Sequence, residues 1–235
     1  MDKELEFFEK FVHSFDMNNE KVIYKYNHTF RVVDNAKDIA KSLDLDEKEY
    51  TRACVCALFH DLGRFPQVTE YNTYLDRLSF DHGDKSYEIL KENNYSDKIV
   101  QNAVKYHNKK DLPDFDELSL MHLKIVRDAD QIDIMYDCGN KPCENDVRVP
   151  DNIMNCYKNH TLVDNSAGYS EFIYTLRNLA FVFSINYKRS MEIIIEKGLI
   201  SIKLNILRSE TNKDQIDFIE KEIKKYIKER FDIIC

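Results

Sequence analysis

The sequence predicts an all-α protein, and three observations support this. Only 5 Gly and 4 Pro occur in 235 residues, fewer turn-forming residues than a fold rich in β-hairpins needs. Apolar residues recur at spacings of three and four through most of the chain, as on one face of an α-helix. The length suits one globular unit. We therefore expect a helical bundle with a helical C-terminal extension.

The first three predicted helices are amphipathic. Apolar residues at helical spacing mark the first two, namely Phe7, Phe8, Phe11, Val12 and Phe15, then Val32, Ala36, Ile39 and Leu43. Asp46 and Glu49 have the spacing of a capping box, which predicts the start of a third helix. This helix runs into His60 and Asp61, and Gly63 is predicted to end it.

Three further helices complete the predicted core. A polar loop containing Pro66 is expected before a fourth helix that begins near Asp81. Ser96 has the position of an N-cap for the fifth helix. Pro113 separates that helix from a sixth, which carries Leu123 and Val126 on one face.

The domain organisation follows from one break in the apolar pattern. Residues 138–150 contain two prolines, a glycine and no helical periodicity, so they are predicted to be a loop. Residues 1–137 then form the core. Residues 151–235 are predicted to be a helical region that packs on the core within a single globular unit. They include an apolar region with long helical runs from Phe172 to Ile206 and a charged amphipathic helix from Gln215 to Phe231.

Charge and targeting signals narrow the function. A net charge of -8 and a pI near 5.4 argue against binding of nucleic-acid polymers, which requires concentrated Lys and Arg. Neither a signal peptide nor an apolar run long enough to span a membrane is evident, so we expect a cytoplasmic protein with no membrane partner. None of the cysteines has the CxxC spacing of a zinc site, and free thiols are expected at Cys54, Cys56, Cys138, Cys143, Cys156 and Cys235.

The sequence places ionisable residues on the apolar faces of successive helices. His28 precedes Val32 by four residues, and the same kind of spacing turns each candidate inward: His28, His60, Asp61, His82, His107 and Asp130. Buried imidazoles and carboxylates are costly unless they share a cation. This predicts a metal site of iron or manganese, with zinc or magnesium as further possibilities. Asp128 and Asp133 compete with Asp130 for the last ligand position, and Asp133 better suits a supporting role.

The stretch ALFHDLGRF at residues 57–65 resembles the HD-domain superfamily of metal-dependent phosphohydrolases. The ordered set of His28, His60-Asp61, His82, His107 and Asp130 resembles its two-metal branch, over roughly the first 137 residues. The resemblance implies that one metal is held by His28, His60, Asp61 and Asp130. It also implies that Asp61 bridges to a second metal held by His82 and His107. Phosphate ester hydrolysis by a metal-bridging hydroxide is the implied reaction.

Cationic residues near this set are candidates for binding substrate phosphate. Arg64 lies three residues after Asp61, where related proteins often carry lysine, so it is a catalytic and substrate-binding candidate. Arg127 precedes Asp130 by three, and Lys109 and Lys110 follow His107 closely. These four cations are also compatible with solvated positions at helix ends.

The substrate stays open. The Gly-Tyr-Pro signature of members that cleave cyclic dinucleotides is missing after the HD motif. A small phosphate ester or a nucleotide is therefore expected. Two alternative functions are compatible with the same residues. The ligand set also resembles that of mixed-valent di-iron oxygenases of the superfamily, and a regulatory HD domain that binds a nucleotide without turnover is a third possibility.

Overall fold

The structure is a computed structural model that describes residues 1–136, 148–164, 167, 170–209 and 213–234. These residues form helices and connections, with no β-strand among them, which confirms the predicted all-α class. The chain divides into two compact units, Met1–Asp133 and Ile134–Cys235. Most of the predicted loop at 138–150 lies outside the described residues, as do Cys138, Cys143 and Cys235. Among the described helices, none is both long enough and apolar enough to cross a membrane.

The first unit is a bundle of helices. Its helices are α1 (Asp2–Val12), α2 (Glu20–Ser42), α3 (Glu47–Phe59), α4 (Arg64–Tyr71), α5 (His82–Glu92), α6 (Lys98–Tyr106) and all but the last turn of α7 (Glu117–Tyr136). A short 3-10 helix, Asp76–Leu78, lies between α4 and α5. The most extensive helix pairings join α2 to α3 and α5 to α6.

The start of α3 agrees with the sequence, whereas its end differs. Asp46 is the N-cap and its carboxylate accepts a hydrogen bond from the Glu49 amide at 2.8 Å. The sequence predicted that Gly63 ends α3, and this is wrong. The helix ends at Phe59, and Gly63 is the N-cap of α4 with a φ of -66°. What Gly63 provides is space: a Cβ there would lie 2.4 Å from the carbonyl oxygen of His82.

Two more expectations are corrected in this region. The stretch from Arg64 to Tyr71 is a helix, although its Pro66 suggested a loop, because proline is tolerated in the first turn. The cap of α6 is Asp97 and not Ser96, since the Asp97 carboxylate accepts hydrogen bonds from the amides of Ile99 and Val100.

A cluster of aromatic rings anchors α1 to the middle of this unit. The buried Phe8 meets Phe65 edge to face at 6.0 Å, and Phe7 meets Phe59 in the same way at 5.5 Å. Phe59 is the last residue of α3, and Phe65 lies in the first turn of α4. The cluster therefore fixes both sides of the turn that carries His60 and Asp61.

The second unit is also helical. It contains α8 (Asp151–Lys158), α9 (Glu171–Leu179), α10 (Lys188–Glu196), α11 (Leu199–Arg208) and α12 (Lys213–Phe231). The apolar region from Phe172 to Ile206 contains the predicted helical runs, and a 3-10 helix at Ala180–Ser184 separates α9 from α10. The amphipathic pattern of α12 is confirmed, since one side chain per turn is buried: Ile216, Ile219, Ile223, Ile227 and Phe231.

Candidate metal centre

Asp61 lies at the centre of the candidate site. It lies two residues after the end of α3 and is almost fully buried. Its Oδ2 lies 3.5 Å from the Nε2 atoms of both His28 and His60. Its Oδ1 lies 3.6 Å from Nε2 of His82 and 3.7 Å from Nε2 of His107. The two oxygens of one carboxylate thus face two separate pairs of imidazoles.

Asp130 completes the first of these two groups. Its Oδ1 lies 3.2 Å from Nε2 of His28 and 3.7 Å from Nε2 of His60. Its side chain is 18% exposed, so this side of the group is the more open one. The structure therefore brings all six residues of the predicted ligand set together. Their role as metal ligands stays a prediction.

The ligand candidates come from different positions on their helices. His28 on α2 and Asp130 on α7 lie within long helices, whereas His60, His82 and His107 lie at helix ends. His60 and His107 each place Nδ1 against the carbonyl oxygen three residues earlier, at 2.7 Å from Ala57 and 2.8 Å from Val104. The carboxyl ends of α3 and α6 carry partial negative charge, which favours a cation beside them.

The other two imidazoles are held by carboxylates. Nδ1 of His28 lies 2.6 Å from Oδ2 of Asp133, and Nδ1 of His82 lies 2.6 Å from Oδ2 of Asp76. All four Nδ1 atoms therefore face acceptors and carry the hydrogen in a neutral ring. In the neutral form that a metal would bind, each ring presents the lone pair of Nε2 to the centre of the site. Asp133 is accordingly a support for His28, as its position in the sequence suggested.

This arrangement has a deficit of positive charge that a metal would remove. The Nε2 atoms of His28 and His60 are buried without a hydrogen-bond partner in the described structure, and Nε2 of His82 lies 3.1 Å from Nε2 of His107. Lone pairs that converge on a carboxylate repel one another in a dry site. His28, His60 and Asp130 have donor atoms within 4.8 Å of one another, as do His60, Asp61 and His107. The donor set fits divalent ions of iron, manganese or zinc.

The charges in the site agree with this interpretation. Burial raises the pKa of Asp61, but Lys25 and His60 outweigh burial and hold it well below its usual value. In His28, burial and Lys25 lower the pKa, yet the surrounding carboxylates raise it to about 9. The pKa of His82 falls to about 4, mainly through burial and then through Arg64. The carboxylate stays ionised, and the site attracts positive charge.

Asp76 supports the second group, and the sequence analysis missed it. Besides His82, it accepts hydrogen bonds at 2.9 Å from Nη1 of Arg64 and from Nε2 of Gln67. Burial raises the pKa of Asp76, but hydrogen bonding to His82 and the charges of His82 and Arg64 lower it below the ordinary range. Asp76 lies in a polar connection without helical periodicity, so no spacing pattern indicated that it faces the site.

Three of the four predicted substrate cations, Arg64, Lys109 and Arg127, have different environments. Nη1 of Arg64 is held by Gln67, Asp76 and the carbonyl of Tyr74, while its Nε lies 3.7 Å from Oδ1 of Asp61 without a hydrogen-bond partner in the described structure. Lys109 pairs at 2.6 Å with Asp81 and at 2.8 Å with Asp84.

Arg127 lies one turn before Asp130 on α7, and burial lowers its pKa. No hydrogen bond or ion pair joins it to another described residue. A half-buried guanidinium without a partner is unusual. It therefore has the donors to bind an anion.

Lys25 is the other residue that the sequence analysis missed. Its Nζ lies 2.7 Å from Oδ2 of Asp61, and the residue is only 8% exposed. It precedes His28 by three on α2, so the helical spacing that identified His28 also placed Lys25 on the same face.

Comparison with known families agrees with this geometry. Residues 26–135 match the family model of the HD domain, a range that contains all six ligand candidates. No curated protein matches the chain at a significant level.

Proposed function

The chain carries an HD domain at residues 26–135, and HD domains typify a superfamily of metal-dependent hydrolases, so we propose that this protein is a two-metal phosphohydrolase. Its substrate would be a small phosphate ester or a nucleotide. One observation carries the proposal: the two oxygens of Asp61 face two separate groups of imidazoles.

The residues divide into two sets in this proposal. His28, His60, Asp61 and Asp130 would hold one divalent ion, and Asp61, His82 and His107 the other. When bound, such a pair of ions supplies an activated water and offsets the charge that grows on a phosphoryl group. Asp133 and Asp76 hold the rings of His28 and His82, so that both Nε2 atoms stay directed at the site.

Substrate binding is assigned to two of the predicted cations. Arg127 has donors without a partner in the described structure, and Arg64 offers Nε beside Asp61. Both guanidinium groups suit a phosphate oxygen, because charge-assisted hydrogen bonds to phosphate are strong. Lys109 is given a different role, since its pairing with Asp81 and Asp84 holds the start of α5, where His82 lies.

The proposal is tested by metal content and hydrolysis together. Protein purified without added metal would be analysed for its elements, and then assayed with manganese, without oxygen, on a chromogenic phosphate monoester and diester. We expect about two metals per chain and release of the chromogenic alcohol. The control is Asp34→Asn, an exposed carboxylate on α2 that pairs with Lys37. It is expected to match the unmodified protein.

Other outcomes would support the alternatives. Bound iron, no hydrolysis and loss of an organic substrate only in air would overturn the proposal in favour of an oxygenase. Tight nucleotide binding without turnover of any ester would overturn it in favour of a regulatory domain. In that case Asp61→Ala would weaken nucleotide binding, and neither the variant nor the unmodified protein would hydrolyse an ester.

A further inference from the structure

Lys25 is a buried cation within the candidate metal site. Its ammonium lies 2.7 Å from Oδ2 of Asp61, the oxygen that faces His28 and His60. This is the oxygen that the first metal would bind. The lysine and that metal are therefore directed to the same atom.

Two cations on one carboxylate oxygen repel each other strongly in a site with little water. Binding of the first metal would therefore weaken the ion pair between Lys25 and Asp61. A further anion close by would stabilise the displaced ammonium.

The surroundings of Lys25 limit where its ammonium can go. It lies 5.9 Å from the ring centre of Tyr24 and 5.5 Å from that of Tyr74, within range of cation–π attraction. Tyr24 stacks on His28, with the ring planes at 8°. Within the described residues, Asp61 is the only acceptor that hydrogen-bonds to Lys25. At least two of its three N–H donors are therefore available.

On the basis of the proposed function, we infer that Lys25 binds a phosphate oxygen of the substrate. In the metal-free protein it is the internal counter-ion of Asp61. When the first metal binds, the ammonium moves from Asp61 to the phosphate dianion beside the metals. Metal binding and phosphate binding are thereby linked through one side chain, and the residue gives the site a preference for anionic substrates.

The first test measures metal affinity by calorimetry with manganese alone. Removal of a competing cation in Lys25→Met is expected to tighten the first equivalent of manganese about tenfold. Lys25→Arg keeps the charge and is expected to stay close to the unmodified protein. The matched control is Lys21→Met, one turn earlier on α2, whose ammonium is bound by Oδ1 of Asn72 at 2.7 Å. It is expected to leave the affinity unchanged.

The second test measures binding of inorganic phosphate to the manganese-loaded proteins. Lys25→Met is expected to weaken phosphate binding roughly 10-fold to 100-fold, the effect of losing one charged hydrogen bond. Lys25→Arg is expected to restore most of it, and Lys21→Met to have no effect. Lys25→Gln, which keeps a polar side chain, repeats both measurements if Lys25→Met melts below the temperature of the assay.

These results separate this inference from the proposed function. Unchanged phosphate affinity in the methionine and glutamine variants would overturn the role of Lys25, even if the protein hydrolyses esters. Weaker manganese binding in both variants would overturn it as well. Conversely, phosphate binding that depends on Lys25 and manganese, without hydrolysis of any ester, would support the inference and refute the hydrolase.

Discussion

Asp61 is the residue on which both halves of the site depend. Because its two oxygens face different imidazole pairs, Asp61→Asn is expected to weaken binding of both metals and not of one. His60→Ala is expected to remove the first metal. Elemental analysis of the purified variants measures this, with Asp34→Asn as the control. Unchanged metal content in Asp61→Asn would refute the site.

Asp76 provides a more selective test, because it contacts only the second group. Asp76→Asn is expected to weaken the second metal about 10-fold to 100-fold, since the carboxylate that fixes the His82 ring is lost. The first metal should be retained, so the metal content at limiting manganese should fall toward one per chain. The control is Glu88→Gln, which removes the exposed partner of Lys85 on the same helix as His82. Equal loss of both metals would contradict the assignment.

At the scale of the helices, Gly63 sets how closely the HD turn approaches α5. A Cβ at this position would lie 2.4 Å from the His82 carbonyl and 2.9 Å from the Ser86 amide. Gly63→Ala is therefore expected to lower the free energy of unfolding by about 1–3 kcal/mol and to weaken the second metal, because His82 must move. Chemical denaturation and calorimetry measure the two effects.

Gly198→Ala is the control for that prediction. Gly198 has a φ of +65°, but no atom lies within 4 Å of an added Cβ. It should lose about 1 kcal/mol of stability through backbone strain alone and keep both metals. If Gly63→Ala matched it in both measurements, the close contact with α5 would have no energetic role.

A buried network joins α3 to α7 and predicts a pH dependence. Nε2 of His122 donates to Glu49 at 2.7 Å, and its buried Nδ1 has no hydrogen-bond partner in the described structure. Burial lowers the pKa of His122 below 6.5 despite Glu49, so the folded protein holds the neutral ring. As the pH falls through 6.5, the unfolded chain binds a proton that the folded chain does not, and stability decreases.

His122→Gln should remove that contribution, because the amide still donates to Glu49 but does not titrate. Between pH 7 and the lowered pKa, the unmodified protein is expected to lose up to about 1.4 kcal/mol per pH unit more than the variant. Urea unfolding in chelator at pH 7 and pH 5 measures the difference. Parallel losses in both proteins would show that His122 does not titrate in this range.

Local sequence signals predicted some helix ends and not others. Asp46 was identified because its capping chemistry lies within one turn. Gly63 and Pro66 were misread because both residue types often end helices. Here Gly63 provides close packing between α4 and α5, and Pro66 fits the first turn of α4. A tertiary contact decided the role of Gly63, and no local pattern records it, whereas Pro66 follows a local preference of the first helical turn.

For the whole molecule, helical spacing predicted that the six ligand candidates face inward, but it did not indicate most of their supports. An inward His or Asp on an apolar stripe is conspicuous, as with His28 and His107. Asp76 lies in a connection, and its contact with His82 arises from how that connection folds back. Lys25 was overlooked because lysine on an amphipathic helix is usually solvated. Its burial depends on Asp61, which lies 36 residues away in the chain.

The ligand candidates tie distant parts of the first unit together, which predicts that metal binding stabilises the fold. They come from α2, the α3–α4 turn, α5, the end of α6 and α7. An ion that binds only the folded arrangement adds about 2.7 kcal/mol at a concentration 100 times its dissociation constant. The protein should therefore melt at a higher temperature with manganese than with chelator, and His60→Ala should show a much smaller shift. Identical melting of the unmodified protein in both conditions would mean that these side chains converge without holding a metal, and would remove the basis of the proposed hydrolase.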